Sequence, residues 1–170
     1  MCIILKTYTQ KGEMMPRHRK RRRLGQLPGV CGMYPFGQGL LRRPVYLALE
    51  EYESIRLADY LGMDHAEGAG LMNVSRSTFT RIYERARQTI AKALVEGHPI
   101  FIRGGAVDLS QSAYRCSTCD HRFSAAPELT NNCPECGKST VHDISHCFLD
   151  DFREHESFCP DCAGGRVDTI

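Results

Sequence analysis

Two Cys-x-x-C pairs separated by 13 residues limit the fold of this chain more than any other feature. Cys116 and Cys119 form the first pair, and Cys133 and Cys136 form the second. Each pair can bend its backbone so that both sulfurs meet one metal ion, and two pairs complete the tetrahedron of thiolates typical of structural zinc. The sequence therefore predicts one structural zinc ion in a small β zinc ribbon over residues 113–141.

The predicted ribbon has few apolar residues of its own. Tyr114 and Phe123 can pack a core, but that core is too small to fold without metal, so zinc affinity is expected to supply folding energy. A closed shell of four cysteines leaves no coordination position for water, which argues against hydrolytic chemistry at this centre. Because such pairs also hold iron, a rubredoxin-like electron carrier is an alternative that visible colour would reveal.

A third Cys-x-x-C pair near the C-terminus indicates a second metal site. Its expected ligands are Cys147, Cys159, Cys162 and His142, although spacing alone does not separate His142 from the other nearby histidines. Free thiols or redox-active cysteines are the alternative interpretation. The alternative function is a metal- or redox-responsive regulator, in which Cys147, Cys159 and Cys162 release metal or become oxidised and thereby change the affinity for DNA.

Charge is distributed very unevenly along the chain. Residues 15–49 carry eight Arg or Lys and no acid, residues 50–105 carry seven bases and eight acids, and residues 106–170 carry five bases and eleven acids. With 170 residues, of which 42% are apolar, the chain can bury one ordinary core or two small ones, and not a large enzyme core with accessories. Two modules are predicted, joined by a linker over residues 106–112, with an acidic C-terminal region suited to protein contacts.

The N-terminal residues suggest a cytoplasmic protein. The chain has no run of 18 apolar residues, and Met1–Leu5 is too short for the core of a signal peptide. The thiols are therefore expected to stay reduced, which favours metal over disulfides. Residues 1–14 lack the charge pattern of the residues that follow, and Met15 resembles a translation start. We therefore expect residues 1–14 to precede the true start of the protein and to be disordered.

A basic arm follows at residues 17–23, in which six of the seven residues are Arg or Lys. Such a run repels itself and cannot be buried, so we expect a mobile arm that binds phosphates. The alternative is a solvated tail that binds no partner. Residues 24–44 contain many Gly and Pro and predict an ordered loop or irregular hairpin.

Residues 45–105 show the periodicity of three helices. Apolar residues recur at helical spacing from Leu49, and Gly62 marks the end of the first helix. Asp64-x-x-Glu67 predicts a capping box that starts a second short helix, and Ser75 can cap a third. These features predict a mainly α, three-helix domain with a helix-turn-helix, followed by the small β zinc ribbon.

The second and third helices meet the requirements of a helix-turn-helix. Ala69 supplies the small residue at the helix contact, and Asn73 tolerates the left-handed turn conformation. Gly68 and Gly70 are expected to weaken the second helix by about 1 kcal/mol each relative to Ala. The candidate DNA contacts are Arg76, Ser77, Thr80, Arg81 and Arg85 in the helix over residues 76–94, and Arg17, Arg19, Lys20, Arg21, Arg22 and Arg23 in the arm. A three-helix bundle with a basic face and no nucleic-acid role is the alternative.

Several short motifs between residues 15 and 105 resemble one known family. They are Pro16-Arg17, Leu57-Ala58-Asp59, Val74-Ser75-Arg76-Ser77-Thr78-Phe79, Ala86-Arg87 and Ile102-Arg103-Gly104-Gly105. They are similar to the proteins catalogued as domain of unknown function 134, or uncharacterised protein family 0251. The resemblance implies a helix-turn-helix like that of region 4 of sigma factors, and hence reading of the DNA major groove.

Together these features predict a sequence-specific DNA-binding protein that regulates transcription and is not an enzyme. The third helix would read base edges and the arm would bind phosphates of double-stranded DNA. One short helix reads few base pairs, so a homodimer is expected. Paired carboxylates, a nucleophile elbow and a phosphate-cradling glycine loop are not found in the sequence.

Overall fold

Eight short strands, four α-helices and one π-helical segment make up the described part of the chain, residues 21–36, 42–109, 111–126 and 130–149 of a computed structural model. The strands are β1 Arg22–Leu24, β2 Gly32–Met33, β3 Val45–Leu47, β4 Ile100–Ile102, β5 Val107–Leu109, β6 Ser112–Cys116, β7 Arg122–Ala125 and β8 Val141–Asp143. The helices are α1 Leu49–Ile55, continued by the π-helical segment Arg56–Tyr60, then α2 His65–Leu71, α3 Arg76–Glu96 and α4 His146–Leu149.

The predicted fold class, a mainly α domain plus a small β zinc ribbon, is wrong. The strands form three sheets, and two of those sheets lie outside the cysteine-rich region and surround the helices in sequence. Strands β1 to β5 contain only two or three residues each, too few to show the alternation of apolar and polar residues that identifies a strand. Their flanking glycines and prolines also read as loop in the sequence.

The first two sheets join segments that are distant in the chain, whereas the third is built from neighbouring strands. Strand β1 pairs in parallel with β5, so that Arg22 lies opposite Val107. Strand β4 lies between β2 and β3, antiparallel to the first and parallel to the second. Helices α1, α2 and α3 all lie between β3 and β4 in sequence. They form the long crossover that two parallel strands require. In the third sheet β6 pairs antiparallel with β7 and β8.

The larger core draws on the N-terminal segment, the helices and the cysteine-rich region together. Its buried members are Leu24, Leu27, Leu47, Leu49, Ala86, Ala93, Ile100, Ile102, Val107, Ala113, Ile144, Cys147 and Phe148. Residues 107–109, expected in the linker, form β5 and contribute to this core. The cysteine-rich region is therefore packed against the rest of the chain rather than held apart from it.

Helix α1 begins at Leu49, where the sequence periodicity changes. A side-chain oxygen of Glu51 accepts a hydrogen bond from the backbone N–H of Ala48 at 2.9 Å, which satisfies one of the free donors at the helix start. Glu50, Glu51 and Glu53 are all at most 6% exposed. These three acids are thus interior groups, and each lies beside an arginine.

The predicted starts of α2 and α3 are confirmed. The Asp64 carboxylate accepts hydrogen bonds from the backbone N–H groups of Glu67 and Ala66, and these bonds lower the pKa of Asp64. Ser75 accepts from the backbone N–H of Thr78 at 3.2 Å. Asn73 has φ 54°, in the left-handed region predicted for the turn between the two helices.

A second, smaller core fixes α2 against α3. Its buried members are Leu57, Ala69, Met72, Phe79 and Ile82. Gly68 lies at the closest contact, because a Cβ atom there would stand 2.6 Å from Cζ of Phe79. The ring of Phe79 fills the volume that a side chain at position 68 would need. Gly68 therefore tightens the packing of α2, whereas the sequence had suggested only a weaker helix.

Substituting Gly68 by Ala is expected to destabilise the protein, although Ala favours helices by about 1 kcal/mol. The clash with the fully buried Phe79 ring should cost about 1–3 kcal/mol, as overpacking does. Gly70→Ala is the matched control, because a Cβ there meets nothing within 4 Å and should stabilise α2. Urea unfolding of both variants measures the difference, and equal stabilities would contradict the packing described here.

Candidate metal centre and nucleic-acid interface

The four cysteines of the two Cys-x-x-C pairs converge on one point. All four sulfurs lie within 4.8 Å of one another. The Cys116 and Cys136 sulfurs are 3.6 Å apart, and those of Cys119 and Cys133 are 3.7 Å apart. Tetrahedral zinc with bonds of about 2.3 Å requires sulfurs about 3.8 Å apart, whereas a disulfide requires about 2.05 Å. The spacing fits a cation held by four thiolates.

The two cysteine pairs have matching backbone turns. In the first, the N–H of Asp120 donates to the carbonyl of Cys116 at 2.9 Å; in the second, the N–H of Gly137 donates to the carbonyl of Cys133 at 2.8 Å. Asp120 and Gly137 both have positive φ, 60° and 70°. Each turn directs two sulfurs to the same side, so local backbone geometry alone assembles both halves of the centre.

The pKa values of two thiols in the cysteine cluster shift in opposite directions. A hydrogen bond with the Thr140 hydroxyl lowers the pKa of the Cys116 thiol to about 5. For Cys119 the backbone N–H of His121 acts in the same direction, but burial and the neighbouring thiols outweigh it and raise its pKa to about 12. Four thiolates so close together repel one another, and a bound cation would remove that repulsion.

The predicted second metal site is placed only in part. Cys159 and Cys162 lie outside the described residues. Cys147 is 4% exposed within the larger core, and its sulfur lies 3.5 Å from Nε2 of the adjacent His146. His142 is exposed on β8. The histidine beside the Cys147 sulfur is thus His146 rather than the expected ligand His142.

The N-terminal half of α3 presents polar side chains to solvent. Arg76, Ser77 and Arg81 are exposed, while Phe79 and Ile82 on the opposite side are buried in the smaller core. Residues 77 and 81 are four apart and share one face of the helix. This arrangement places two guanidinium groups and a hydroxyl on a rigid surface held by packing against α2.

Two other predicted contacts on α3 already have partners within the protein. The Thr80 hydroxyl donates to the Arg76 carbonyl at 3.0 Å and lies 3.0 Å from Nδ1 of His65. The Arg85 guanidinium pairs with the buried carboxylate of Glu51. These bonds restrict both side chains. The Ser77 hydroxyl lies 3.1 Å from that of Ser75, so Arg76 and Arg81 are the more available groups on this helix.

The end of the basic arm is a strand. Residues Arg22 and Arg23 belong to β1, although a mobile arm was expected through residue 23, and the backbone N–H of Arg23 donates to the carbonyl of Met72 at 3.1 Å. Strand β1 therefore lies against the turn between α2 and α3. Arg21 and Arg23 are exposed, with Arg21 paired to Asp108 at 3.6 Å. Arg17, Arg19 and Lys20 lie outside the described residues.

Arg22 differs from its neighbours in the arm because its side chain is only 16% exposed. Its guanidinium lies 3.9 Å from Glu50, and it lines a cleft of about 400 Å³ with Asn73, Ser75 and Thr78 at the start of α3. The sequence did not indicate this location, since an arginine within a basic run reads as solvated. The Arg22 side chain thus lies between α1 and the first turn of α3.

No helix in the described part of the chain combines the length and apolar character needed to cross a membrane.

Comparison with known proteins identifies relatives over most of the chain. A UPF0251 protein of Chloroherpeton thalassium is 44% identical over 137 residues, 79% of this chain and 90% of the relative. A UPF0251 protein of Pelotomaculum thermopropionicum is 43% identical over 131 residues, covering 76% and 99% of the two chains. One from Methanothermobacter thermautotrophicus is 34% identical, covering 77% and 69%. No solved structure matches the chain.

The family match covers the helices and the N-terminal segment. Residues 13–110, more than half of the chain, match the family described as "Protein of unknown function DUF134". This range contains α1, α2 and α3 with strands β1 to β5, and ends before the first of the four converging cysteines. The chain therefore belongs to the DUF134 family, in agreement with the resemblance of its sequence motifs and with the UPF0251 proteins to which it is similar.

Proposed function

We propose that this protein binds double-stranded DNA in a sequence-specific manner through the N-terminal half of α3, and thereby regulates transcription without catalysing a reaction. The observation that carries the proposal is the exposure of Arg76, Ser77 and Arg81 on a helix anchored by its other face. Guanidinium groups bind guanine edges and phosphates, and hydroxyls bind either bases or phosphates. An α-helix fits the major groove of B-DNA.

The position of β1 supports contacts with phosphates beside the groove. Arg23 is exposed and hydrogen-bonded through its backbone to the turn before α3, so its charge lies near the helix that would enter the groove. Residues 15–49 contain no acid that would oppose a polyanion. In this proposal β1 and the preceding arm supply affinity for any sequence, and α3 supplies preference among sequences.

The four-cysteine centre has a structural role in this proposal, with zinc as its ion. Cys116 and Cys133 are buried, and β6, which ends at Cys116, contributes Ala113 to the larger core. Binding of the ion would hold the two cysteine turns together and keep this region packed against the helices. A homodimer remains part of the proposal, because one helix of this length reads only a few base pairs.

Arg81→Ala is expected to reduce sequence preference more than general affinity for DNA. Losing one arginine contact to a base should lower discrimination by about 1–3 kcal/mol. Selection from a random duplex pool would first define the preferred site, and fluorescence anisotropy would then compare that site with a scrambled duplex at fixed salt. Arg23→Ala should weaken binding to both duplexes alike and reduce the salt dependence.

Lys92→Ala is the matched control for Arg81→Ala. Lys92 is also exposed on α3 but lies in its C-terminal half, so its replacement removes one charge without touching the proposed reading surface. We expect Lys92→Ala to leave the ratio of preferred to scrambled affinity unchanged. If both variants change that ratio by the same factor, or if the pool yields no preferred site, the assignment of sequence reading to α3 is wrong.

A further inference from the structure

The outer face of the β2–β4–β3 sheet carries a row of three aromatic rings, Tyr34, Phe101 and Tyr46, here called the aromatic row. The ring centroids of Tyr34 and Phe101 are 5.7 Å apart, and those of Phe101 and Tyr46 are 6.0 Å apart. On the opposite face of the same sheet Ile100 and Ile102 are buried in the larger core. Alternation along the strands thus places the aromatic row on the side away from the core.

The aromatic row is open to solvent. Tyr34 is 59% exposed and Tyr46 is 38% exposed, while Phe101 between them is partly exposed. Gly32 lies opposite Phe101 on β2, and a Cβ there would stand 3.0 Å from Cδ1 of the ring. Residue 32 therefore places no side chain against that flank of Phe101. Exposed aromatic groups gathered on one face mark a binding surface more often than isolated apolar residues do.

Arginines accompany the aromatic row. The Arg103 guanidinium lies over the Tyr46 ring at 4.9 Å from its centroid and 5.7 Å from that of Phe101. Arg42 and Arg43 are exposed just before β3. The described residues around this sheet face, 30–36, 42–47 and 99–103, include no Asp or Glu. An anionic partner that can stack on aromatic rings would therefore match the charge and the shape of this face.

We propose that the aromatic row binds unpaired bases of single-stranded nucleic acid, while the exposed Arg42 and Arg43 contact its phosphates. Base stacking on aromatic side chains combined with a positively charged surface is the general chemistry of such binding. Duplex DNA does not offer free base faces, and a second copy of this chain would bring like charges together. An acidic protein segment would satisfy the charge but would leave the rings unused. The proposal does not depend on duplex binding by α3.

The test compares two double variants with the unmodified protein. Tyr34→Ala with Tyr46→Ala removes two rings, whereas Tyr34→Phe with Tyr46→Phe keeps both rings and removes only the hydroxyls. With a fluorescein-labelled oligothymidylate of about 12 nucleotides, we expect the Ala pair to weaken binding on the order of a hundredfold, roughly tenfold for each ring. The Phe pair should bind within about twofold of the unmodified protein, because stacking needs only the ring.

Two further measurements separate stacking from charge. An abasic oligonucleotide of the same length and charge should bind the unmodified protein as weakly as the thymidylate binds the Ala pair. Because the chain contains seven Tyr and no Trp, its emission is that of tyrosine, and stacked bases should quench it in the unmodified protein but much less in the Phe pair. Tyr60→Ala, which removes an 83% exposed tyrosine from the π-helical segment, should leave binding unchanged.

Three results would overturn the proposal. The first is equal affinity of the Ala and Phe pairs for oligothymidylate, and the second is equal affinity of the unmodified protein for abasic and thymidylate strands. The third is a change of sedimentation from dimer to monomer in the Ala pair without a change in binding, which would make this face a contact between copies. If the Ala pair fails to fold, as judged by circular dichroism, the single variant Tyr34→Ala replaces it and should still lose roughly tenfold.

Discussion

Replacing Cys133 by serine is expected to abolish stoichiometric zinc binding and to unfold the cysteine-rich region. Cys133 is 1% exposed and provides one of the four sulfurs that converge within 4.8 Å. Structural zinc contributes about 10–16 kcal/mol of apparent binding free energy at neutral pH, far more than the apolar contacts of a region this small can supply. Metal content after dialysis, measured by mass spectrometry, and thermal unfolding by circular dichroism would report both effects.

Because the larger core is shared, loss of the metal should also affect the helices. Ala113, Ile144 and Phe148 from the cysteine-rich region pack in one cluster with Ala86 and Ala93 of α3. We therefore expect Cys133→Ser to lower the unfolding temperature of the helical part as well. The effect on α3 would be smaller than the loss of the cysteine-rich region itself, since the smaller core around Phe79 does not involve those residues.

Cys31→Ser provides the control for the loss of one thiol. Cys31 lies at the edge of the larger core and is not among the four converging cysteines. This variant should keep one zinc ion per chain. Full zinc content in Cys133→Ser, or equal loss in both variants, would be incompatible with a four-cysteine centre. A visible absorption band in the purified protein would instead identify the bound metal as iron.

Features set by residues close together in the chain could be predicted from the sequence. The two cysteine turns each depend on five or six consecutive residues, and the caps at Asp64 and Ser75 depend on three or four. The left-handed conformation of Asn73 follows from its place between two helical patterns. In these cases the physical cause lies within one turn of chain, so spacing and residue type are sufficient.

Features set by distant pairing could not be predicted in the same way. Strands β1 and β5 are two halves of one ladder, more than 80 residues apart, and neither is long enough to show its own periodicity. The position of Arg85 on α3 predicts a DNA contact, yet its guanidinium forms a salt bridge with Glu51 of α1. From the sequence, Gly68 is predicted to weaken α2, because the Phe79 ring that packs against it belongs to another helix.

The buried glutamates of α1 lead to the second large effect, because Glu53 has the most complete set of partners among them. Its carboxylate accepts from Nη2 and Nε of Arg56 at 2.7 and 2.8 Å and from the backbone N–H of Gly25 at 3.1 Å. These bonds join α1 to the residue that follows β1, and the hydrogen bond with Glu53 raises the pKa of Arg56. These two charged groups can be buried only because each satisfies the hydrogen-bonding groups of the other.

Glu53→Ala is expected to destabilise the protein by about 3 kcal/mol, the lower end of the range for breaking a buried ion pair. The lower end applies because the Arg56 side chain is 19% exposed, so water can hydrate its charge once the Glu53 carboxylate is removed. Asp108→Asn, which breaks an exposed pair with Arg21, should change stability by less than about 1 kcal/mol.

Urea unfolding measures the stability of both variants. A double variant, Glu53→Met with Arg56→Met, should recover part of the stability lost in Glu53→Ala, because no charge is left buried and unpaired. If Glu53→Ala costs no more than Asp108→Asn, the carboxylate does not join β1 to α1 in solution.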